Sequence, residues 1–276
     1  MGNDMAKMAG LSSGPPKNKT GSSVVKKKVE AAAKTGVLSL TEHKLEKVPS
    51  VVVKVLGGSE SKLRTLDLSA NKLEDLPDFG GAFPKLKTCK LHKNRLRALP
   101  ALGGALTSLD AGDNKLAAGG VEACLAAAAK LEDLRLPRNP FGGGCGPAAL
   151  GALSKLRVLD VSDCGLTALL LFDGAAWAAL VEVLADGNPI EALDDAFASR
   201  VPKLQRLSLE RTRVRSLPAS LLALKTLDRL DLKGCPISKK QFLELDGVDD
   251  FMKRREAQRK KEGGGADFGV CGLDDA

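Results

Sequence analysis

The sequence is poor in aromatic side chains and in histidine. Its 276 residues include no tyrosine, one tryptophan, eight phenylalanines and two histidines. Proteins that bind single-stranded nucleic acid stack bases on aromatic residues along a basic groove, so an aromatic content of 3% argues against that class. Neither His43 nor His92 lies near a cysteine or carboxylate cluster with ligand spacing, so we expect no metal site and no cofactor.

Long apolar runs and paired cysteine spacings are also missing. The best candidate for a membrane span, LTALLLFDGAAWAALVEVLA, is interrupted by Asp173, Gly174 and Glu182. The first residues, MGNDMAKMAGLSSGPP, lack the apolar stretch of a secretory signal. Six cysteines without a paired spacing are typical of reduced thiols. We therefore expect a cytoplasmic protein.

The net charge of +8 is concentrated at the two ends of the chain. Residues 1–34 hold seven lysines and two acids, and residues 253–261, KRREAQRKK, hold six basic residues and one acid. Residues 262–276 hold four acids and no base, which leaves the long middle segment close to neutral. A nucleic-acid reader is expected to carry its basic residues on its folded surface, so this distribution also makes nucleic acid an unfavourable partner.

One pattern recurs along most of the chain. The frame L-x-x-L-x-L-x-x-N-x-L appears as LRTLDLSANKL from Leu63 and in nine units altogether, whose starts are 20 to 28 residues apart. The first unit, TGVLSLTEHKL from Thr35, is degenerate, and the last, LDRLDLKGCPI, begins at Leu227. Period and frame are those of leucine-rich repeats. They predict an α/β fold, a right-handed horseshoe solenoid with a parallel concave sheet of about nine strands and a helical cap at each end.

The asparagine of the frame predicts a ladder of side chains inside the turns. An amide both donates and accepts hydrogen bonds, so it can satisfy backbone groups that each sharp turn would leave unpaired. A thiol or hydroxyl replaces the amide in three units, and His43 holds the slot in the first. The ladder thiols are expected to resist alkylation, whereas Cys271 near the C-terminus is expected to react at once. The predicted ladder is Asn71, Asn94, Asn114, Asn139, Cys164, Asn188, Thr212 and Cys235.

Both ends of the repeat region require caps, because a solenoid exposes the apolar faces of its first and last units. Ser22 or Ser23 can begin an N-terminal helix that Gly36 ends. The predicted segments are a disordered basic arm over 1–21, a capping helix over 22–36, leucine-rich repeats over 37–237, a capping helix with a basic end over 238–262 and a disordered acidic tail over 263–276.

The flanking segments EAAAKTGVLSL and ISKKQFLELDGVDDFMKRREAQRKK are more particular than the repeat frame. Over residues 30–262 the chain resembles the small intracellular proteins named leucine-rich repeat-containing protein 57. This resemblance implies a non-catalytic protein that is cytoplasmic or membrane-associated and predicted to be N-myristoylated. The chain departs from that pattern in a longer N-terminal arm, in fourth and fifth repeats rich in Gly and Ala, and in the acidic tail.

The repeats carry no catalytic constellation. The run FGGGCGP over 141–147 lacks the Lys-Ser/Thr of a phosphate-binding loop, so we expect a wide turn there and no enzyme. We predict a non-catalytic intracellular interaction module or scaffold that binds a protein partner, and no small-molecule substrate, on its concave face. Two alternatives stay open: a lipid-anchored peripheral membrane adaptor, and a regulatory subunit or effector of a signalling enzyme, the latter by analogy of fold.

The adaptor alternative depends on the N-terminus. Gly2 follows the initiator Met, as myristoylation requires, but residue 6 is Ala where the motif has Ser or Thr. One acyl chain holds a membrane only marginally, so attraction between N-terminal lysines and an anionic surface would have to assist it. Gly2 is thus the candidate myristoylation site, and the lysines concerned are Lys7, Lys17, Lys19 and Lys26 to Lys28.

The concave face is the expected place of partner binding. Register places charged rows of alternating sign in the third to sixth units, as in Lys90, Asp110, Arg135 and Asp160, so much of this charge is paired across strands. The alternation is predicted to fail in the next unit, where two further carboxylates follow instead of a basic row.

That interruption defines a candidate binding site. Leu184 is predicted to point outward among four carboxylates without neighbouring cations, beside a basic flank, and interface hot spots are commonly apolar anchors inside a polar rim. In the alternative interpretation the acids pair with Arg206, and Leu184 is a lone exposed apolar residue. The candidate partner-binding residues are Leu184, Glu182, Asp186, Asp160, Asp163, Arg206, Arg211 and Arg229.

Overall fold

The computed structural model describes residues 19–79, 81–144, 146–169, 177–261 and 270–273. Over these residues, nine short parallel strands form one sheet whose order follows the chain. The strands are β1 (Val37–Ser39), β2 (Thr65–Asp67), β3 (Thr88–Lys90), β4 (Ser108–Asp110), β5 (Asp133–Arg135), β6 (Val158–Asp160), β7 (Glu182–Leu184), β8 (Arg206–Ser208) and β9 (Arg229–Asp231).

Each strand buries its middle residue, and β8 buries its third residue, Ser208, as well. Successive side chains of a strand point to opposite faces, and the register aligns Leu66 with Cys89 and Cys89 with Leu109. The next apolar residue of the frame, such as Leu68 or Leu91, is buried as well. The repeats therefore share one continuous apolar core, as expected where no single unit can bury its apolar face alone. The predicted leucine-rich-repeat solenoid with a parallel sheet of about nine strands is confirmed.

The chain returns between strands through short helices and turns that cover the other side of the core. 3-10 turns lie at Ala118–Gly120 and Ala148–Ala152. The α-helices are α1 (Lys19–Thr35), α2 (Ser50–Leu56), α3 (Glu122–Ala127), α4 (Phe197–Arg200), α5 (Ala219–Leu222), α6 (Lys239–Leu243) and α7 (Val248–Lys261).

Helix α1 lies over the first repeat and buries Val25, Val29 and Ala32. The predicted start at Ser22 or Ser23 is wrong, because the helix already begins at Lys19. The helix ends before Gly36, whose amide donates to Ala32 O at 2.8 Å. Gly2 and the arm up to residue 18 lie outside the described residues, so the myristoylation site stays a prediction.

The C-terminal cap consists of two helices where the sequence predicted one. Ser238 and Gln241 form a capping box at the start of α6. The chain then turns at Gly247, with φ of +84°, before α7 begins. This turn lets Phe242 of α6 and Phe251 of α7 pack edge to face at 6.3 Å, which a continuous helix over 238–262 would prevent.

Part of the predicted disordered tail lies against the last repeat. Cys271 and Leu273 are buried, and Leu232 N–H donates to Cys271 O at 2.9 Å. The expectation of disorder is therefore wrong for residues 270–273, because two apolar side chains and a backbone carbonyl find partners there. The remainder of that tail, 263–269 and 274–276, lies outside the described residues.

Candidate partner-binding face

The first and third residues of each strand face the concave side, where all of them except Ser208 of β8 are at least partly exposed. Val183 and Ala185 are fully buried, so the alternation of β7 turns Glu182 and Leu184 outward. Register aligns Glu182 with Arg206 and Leu184 with Ser208 on β8. On the other side, Asp160 of β6 aligns with Leu184. The geometry thus brings residues of three strands together around Leu184.

The eight predicted ladder residues occupy the turn after each strand. Asn94 is representative: its Nδ2 donates to Leu68 O at 3.0 Å and to Leu91 O at 2.9 Å, while its Oδ1 accepts from Leu73 N at 3.1 Å. Each amide therefore binds the backbone of its own repeat and of the preceding one. Equivalent contacts are made by Asn71, Asn114, Asn139 and Asn188.

The substituted rungs bind fewer backbone groups. Cys164 Sγ donates to Leu136 O at 3.2 Å, and Cys235 Sγ donates to Leu209 O at 3.0 Å. Thr212 Oγ1 donates to Leu209 O at 2.8 Å and lies 3.2 Å from Cys235 Sγ. A thiol is a weak acceptor, so these rungs are weaker replacements for the carbonyl oxygen of an amide.

The residue before each ladder position has a left-handed backbone, a feature that sequence reasoning missed. Its φ lies between +53° and +73° in all nine repeats, although seven of the nine residues are not glycine. Such a backbone costs an L-residue about 1–2 kcal/mol, and the amide contacts of the ladder hold it in place. The residues are Glu42, Ala70, Lys93, Asp113, Arg138, Asp163, Gly187, Arg211 and Gly234.

The charged rows of the third to sixth units are paired only in part across the strands. Arg138 forms a two-pronged ion pair with Asp113 of the preceding repeat, with Nη2 2.6 Å from Oδ2. The hydrogen bond from Arg138 holds the pKa of Asp113 below its ordinary value. Arg135 instead binds Asp133 of its own strand at 3.1 Å. His92 Nδ1 lies 3.0 Å from Asp110 Oδ2.

The expected absence of cations beside Glu182 is wrong. Arg206 reaches from β8 to both neighbours, with Nη1 3.3 Å from Glu182 Oε1 and Nη2 3.6 Å from Asp231 Oδ2. Asp186 Oδ1 accepts from Ser208 Oγ at 2.6 Å and from Glu210 N at 2.8 Å. The alternative interpretation therefore holds for Glu182, because its register partner is an arginine long enough to bridge the strands.

Two of the four predicted carboxylates remain beside Leu184 without such a bridge. Asp160 Oδ1 accepts only a local bond, from Ser162 N at 3.0 Å. The Asp163 carboxylate lies over Gly187 in the next repeat. Arg211 binds its neighbour Glu210 at 3.4 Å. The candidate site thus reduces to Leu184 with acids on the β6 side and the Arg206 network on the β8 side.

Val158 extends the apolar centre of the site. It is the first residue of β6 and is only partly buried. Because Val158 aligns with Glu182 and Asp160 aligns with Leu184, Val158 lies diagonally across from Leu184 on the same face. Among the nine described strands, Leu184 is the single apolar third residue. The register of the repeat frame would have been enough to predict from the sequence that Val158 faces outward.

Comparison with known proteins agrees with this architecture. A family model described as Leucine Rich Repeat matches residues 62–82. The structure is similar to that of a leucine-rich-repeat protein from Leptospira interrogans, with a TM-score of 0.62 and 20% identity, covering 77% of this chain and 58% of that one. It is also similar to the functional domain of InlJ from Listeria monocytogenes, which includes a cysteine ladder, with a TM-score of 0.57 and 20% identity.

The InlJ comparison covers 76% of this chain and 42% of that one, so this chain spans less than two thirds of either neighbour. No curated protein matches the sequence. The chain therefore has a leucine-rich-repeat solenoid fold. Solenoids of this class use their curved faces as extended surfaces for protein interaction.

None of the described helices has the length and apolar character needed to cross a bilayer. The described part of the chain also contains no group of three His, Cys, Asp or Glu side chains arranged to hold a metal ion.

Proposed function

We propose that the protein is a non-catalytic interaction module that binds a protein partner on its concave face, centred on Leu184. The observation that carries this proposal is an apolar pair, the partly buried Val158 and Leu184, near the middle of a sheet face whose other outward strand residues are polar except Val37 at the β1 edge. A chance exposed leucine needs no explanation. Leu184 has a diagonal apolar neighbour, acids on one side and an arginine network on the other. This is the composition of an interface anchor and its rim.

The extent of the face favours a protein over a small molecule. Nine strands leave eight gaps of about 4.8 Å each, and the charged rows alternate in sign over the third to sixth units. We infer a cytoplasmic scaffold or adaptor, a role supported by the five free thiols among the described cysteines. We also propose that the protein resembles leucine-rich repeat-containing protein 57 in particular.

The experiment is affinity capture followed by mass spectrometry, with the parent and two single variants as bait. Leu184→Asp places a charge at the apolar centre, and Asp160→Lys reverses a rim charge without breaking the Arg206 bridge. Matched controls make the same changes elsewhere: Val55→Asp replaces an exposed valine on α2, and Asp75→Lys reverses an exposed acid. Circular dichroism first checks that all four variants fold like the parent.

Truncating a hot-spot residue costs about 2 kcal/mol or more, so we expect Leu184→Asp to weaken partner binding by at least about 30-fold. The two controls should bind as the parent does. Retention of every parental partner by both concave-face variants would exclude this face as the binding site.

A membrane adaptor is the second candidate. Lys26 and Lys27 are exposed on α1 and follow the N-terminal arm, so this helix offers positive charge to an anionic surface. Metabolic labelling with a myristate analogue, compared between the parent and Gly2→Ala, tests the lipid anchor. Absence of label, or unchanged membrane fractionation of Gly2→Ala, removes this candidate.

A further inference from the structure

The two open edges of the sheet are covered in different ways. At the β1 edge, three side chains bind the outward backbone groups: Val37 N–H donates to Thr35 Oγ1 at 3.3 Å, and Lys28 Nζ donates to Ser39 O at 3.2 Å. The third is His43, whose Nδ1 lies 2.7 Å from Thr41 O. A carbonyl only accepts, so this nitrogen carries the proton. Two of the three groups are anchored on α1, which is packed into the core.

The β9 edge is covered by a separate piece of chain. In each of the eight earlier repeats the residue after the strand donates its N–H to the last residue of the next strand, as Leu209 N–H does to Asp231 O at 2.9 Å. No tenth strand follows β9, yet Leu232 N–H makes the same bond at 2.9 Å, to Cys271 O. The Cys271 carbonyl therefore stands where a tenth repeat would place its own.

Side-chain packing holds this segment on the edge. Cys271 is 0% and Leu273 5% exposed, and Leu273 N–H closes a turn by donating to Val270 O at 2.9 Å. Gly272 has a φ of +76°, and a Cβ there would lie 3.0 Å from Lys233 Cβ. Eight residues, four of them glycine, connect the segment to the end of α7. We call residues 270–273 the strap.

We propose that the β9 edge is a second interaction surface, that the strap is its detachable cover, and that two copies of the chain pair through β9 when the strap leaves. An uncovered strand edge is a template for another strand. The β1 edge is sealed by side chains of the folded cap, so head-to-tail stacking of β9 on β1 is obstructed. Antiparallel pairing of β9 with β9 of a second copy remains, and a two-fold contact of this kind closes at a dimer.

The charges of β9 suit this pairing. The residues on either side of the buried Leu230 are Arg229, which is exposed, and Asp231, which is partly buried and lies 3.6 Å from Arg206 Nη2 within its own sheet. Antiparallel pairing centred on Leu230 places Arg229 of each copy opposite Asp231 of the other, which is the favourable arrangement for cross-strand charges. The second copy is therefore complementary to this edge in both its backbone and its charge.

The experiment measures mass by light scattering over a wide range of concentration. One variant deletes residues 263–276, and a full-length variant, Cys271→Arg, places a guanidinium at a position with no room or solvent. Cys271→Ala is the matched control, since it keeps the carbonyl and a small side chain. Circular dichroism and the fluorescence of the buried Trp177 check the fold. We expect the parent and Cys271→Ala to stay monomeric, and the mass of the other two to double as concentration rises.

A charge exchange tests the pairing itself. In the deletion variant, Asp231→Arg sets like charges opposite each other and is expected to restore the monomer. The exchange Arg229→Asp with Asp231→Arg recreates both opposite pairs and is expected to bring the dimer back. Monomers at all concentrations after strap deletion would overturn the proposal, as would a parent that is already dimeric. Open-ended polymers would overturn the two-fold arrangement, because they require the β1 edge.

Discussion

The Asp163 carboxylate occupies the space that a side chain at residue 187 would need. A Cβ added to Gly187 would lie 1.9 Å from Asp163 Oδ1 and 2.9 Å from its Cγ. Gly187 also has the left-handed backbone common to this position of the repeat, with φ of +65°. The place of one acid beside Leu184 thus depends on the absence of a side chain in the neighbouring repeat.

Gly187→Ala should therefore destabilise the protein for two separable reasons. The left-handed backbone costs about 1–2 kcal/mol, and displacement of the Asp163 carboxylate adds to this cost. Gly142→Ala is the control, because its φ is +78° but no atom lies within 4 Å of the added Cβ. We expect urea denaturation to show a larger loss of stability for Gly187→Ala than for Gly142→Ala. Adding Asp163→Ala to Gly187→Ala should recover the difference between the two losses. Equal losses at the two glycines would contradict the steric relationship.

The ladder predicts a graded cost of substitution. Asn94→Ala leaves the buried Leu73 N–H without its side-chain partner, which costs about 1–3 kcal/mol. It also removes one of the two side-chain bonds to Leu68 O and to Leu91 O, which Asn71 and Asn114 still bind. Thr212→Val removes the one bond that Thr212 donates to the backbone, while Cys235 Sγ still binds Leu209 O, so we expect a loss of stability near 1 kcal/mol. Denaturant midpoints of the two variants test the order. A smaller loss for Asn94→Ala than for Thr212→Val would contradict it.

The ion pair between Asp113 and Arg138 predicts a dependence of stability on pH. Arg138 lowers the pKa of Asp113 in the folded protein. A lowered pKa stabilises the folded protein at pH values above the unfolded-state pKa of about 4. This contribution is lost as the pH falls through the pKa of Asp113 in the folded protein. For a largely exposed pair it amounts to at most about 1 kcal/mol.

We therefore expect Arg138→Met to cost stability at neutral pH, with the difference from the parent disappearing in strong acid. NMR titration of Asp113 should show its pKa return toward the ordinary value in Arg138→Met. It should change less in Arg135→Met, because Arg135 binds Asp133. An unchanged Asp113 pKa in Arg138→Met would show that the pair does not persist in solution.

Thiol reactivity should follow burial. Burial raises the pKa of Cys124 and Cys164 to about 12 and that of Cys89 further, so these thiols stay protonated at neutral pH. Cys271 belongs to the strap and is fully buried, so we expect slow alkylation there instead of the immediate reaction predicted from the sequence, whereas the ladder thiol Cys235 is only partly buried. Peptide mapping after brief alkylation of the native protein should find Cys235 labelled before these four. Rapid labelling of Cys271 would instead show that the strap opens often.

The spacing around Leu63 and its copies was enough to derive the repeats, the strand register and the outward direction of Leu184, because a period of two along a strand leaves only one arrangement that buries the leucines. Whether Arg206 reaches Glu182 depends on the conformation of the arginine side chain, which the repeat frame does not determine.

The sequence by itself thus determined the class of fold, the core and the ladder positions, because all of these follow from one short pattern that is repeated nine times. Only the tertiary structure decided the break between α6 and α7, the sealing of the β1 edge by Lys28, Thr35 and His43, and the docking of Cys271 beside Leu232. The physical reason is that each of these features lies at an end of the solenoid, where the contacts depend on the segment that covers the first or the last repeat. An end has no following repeat, so the period that predicts the interior carries no information about it.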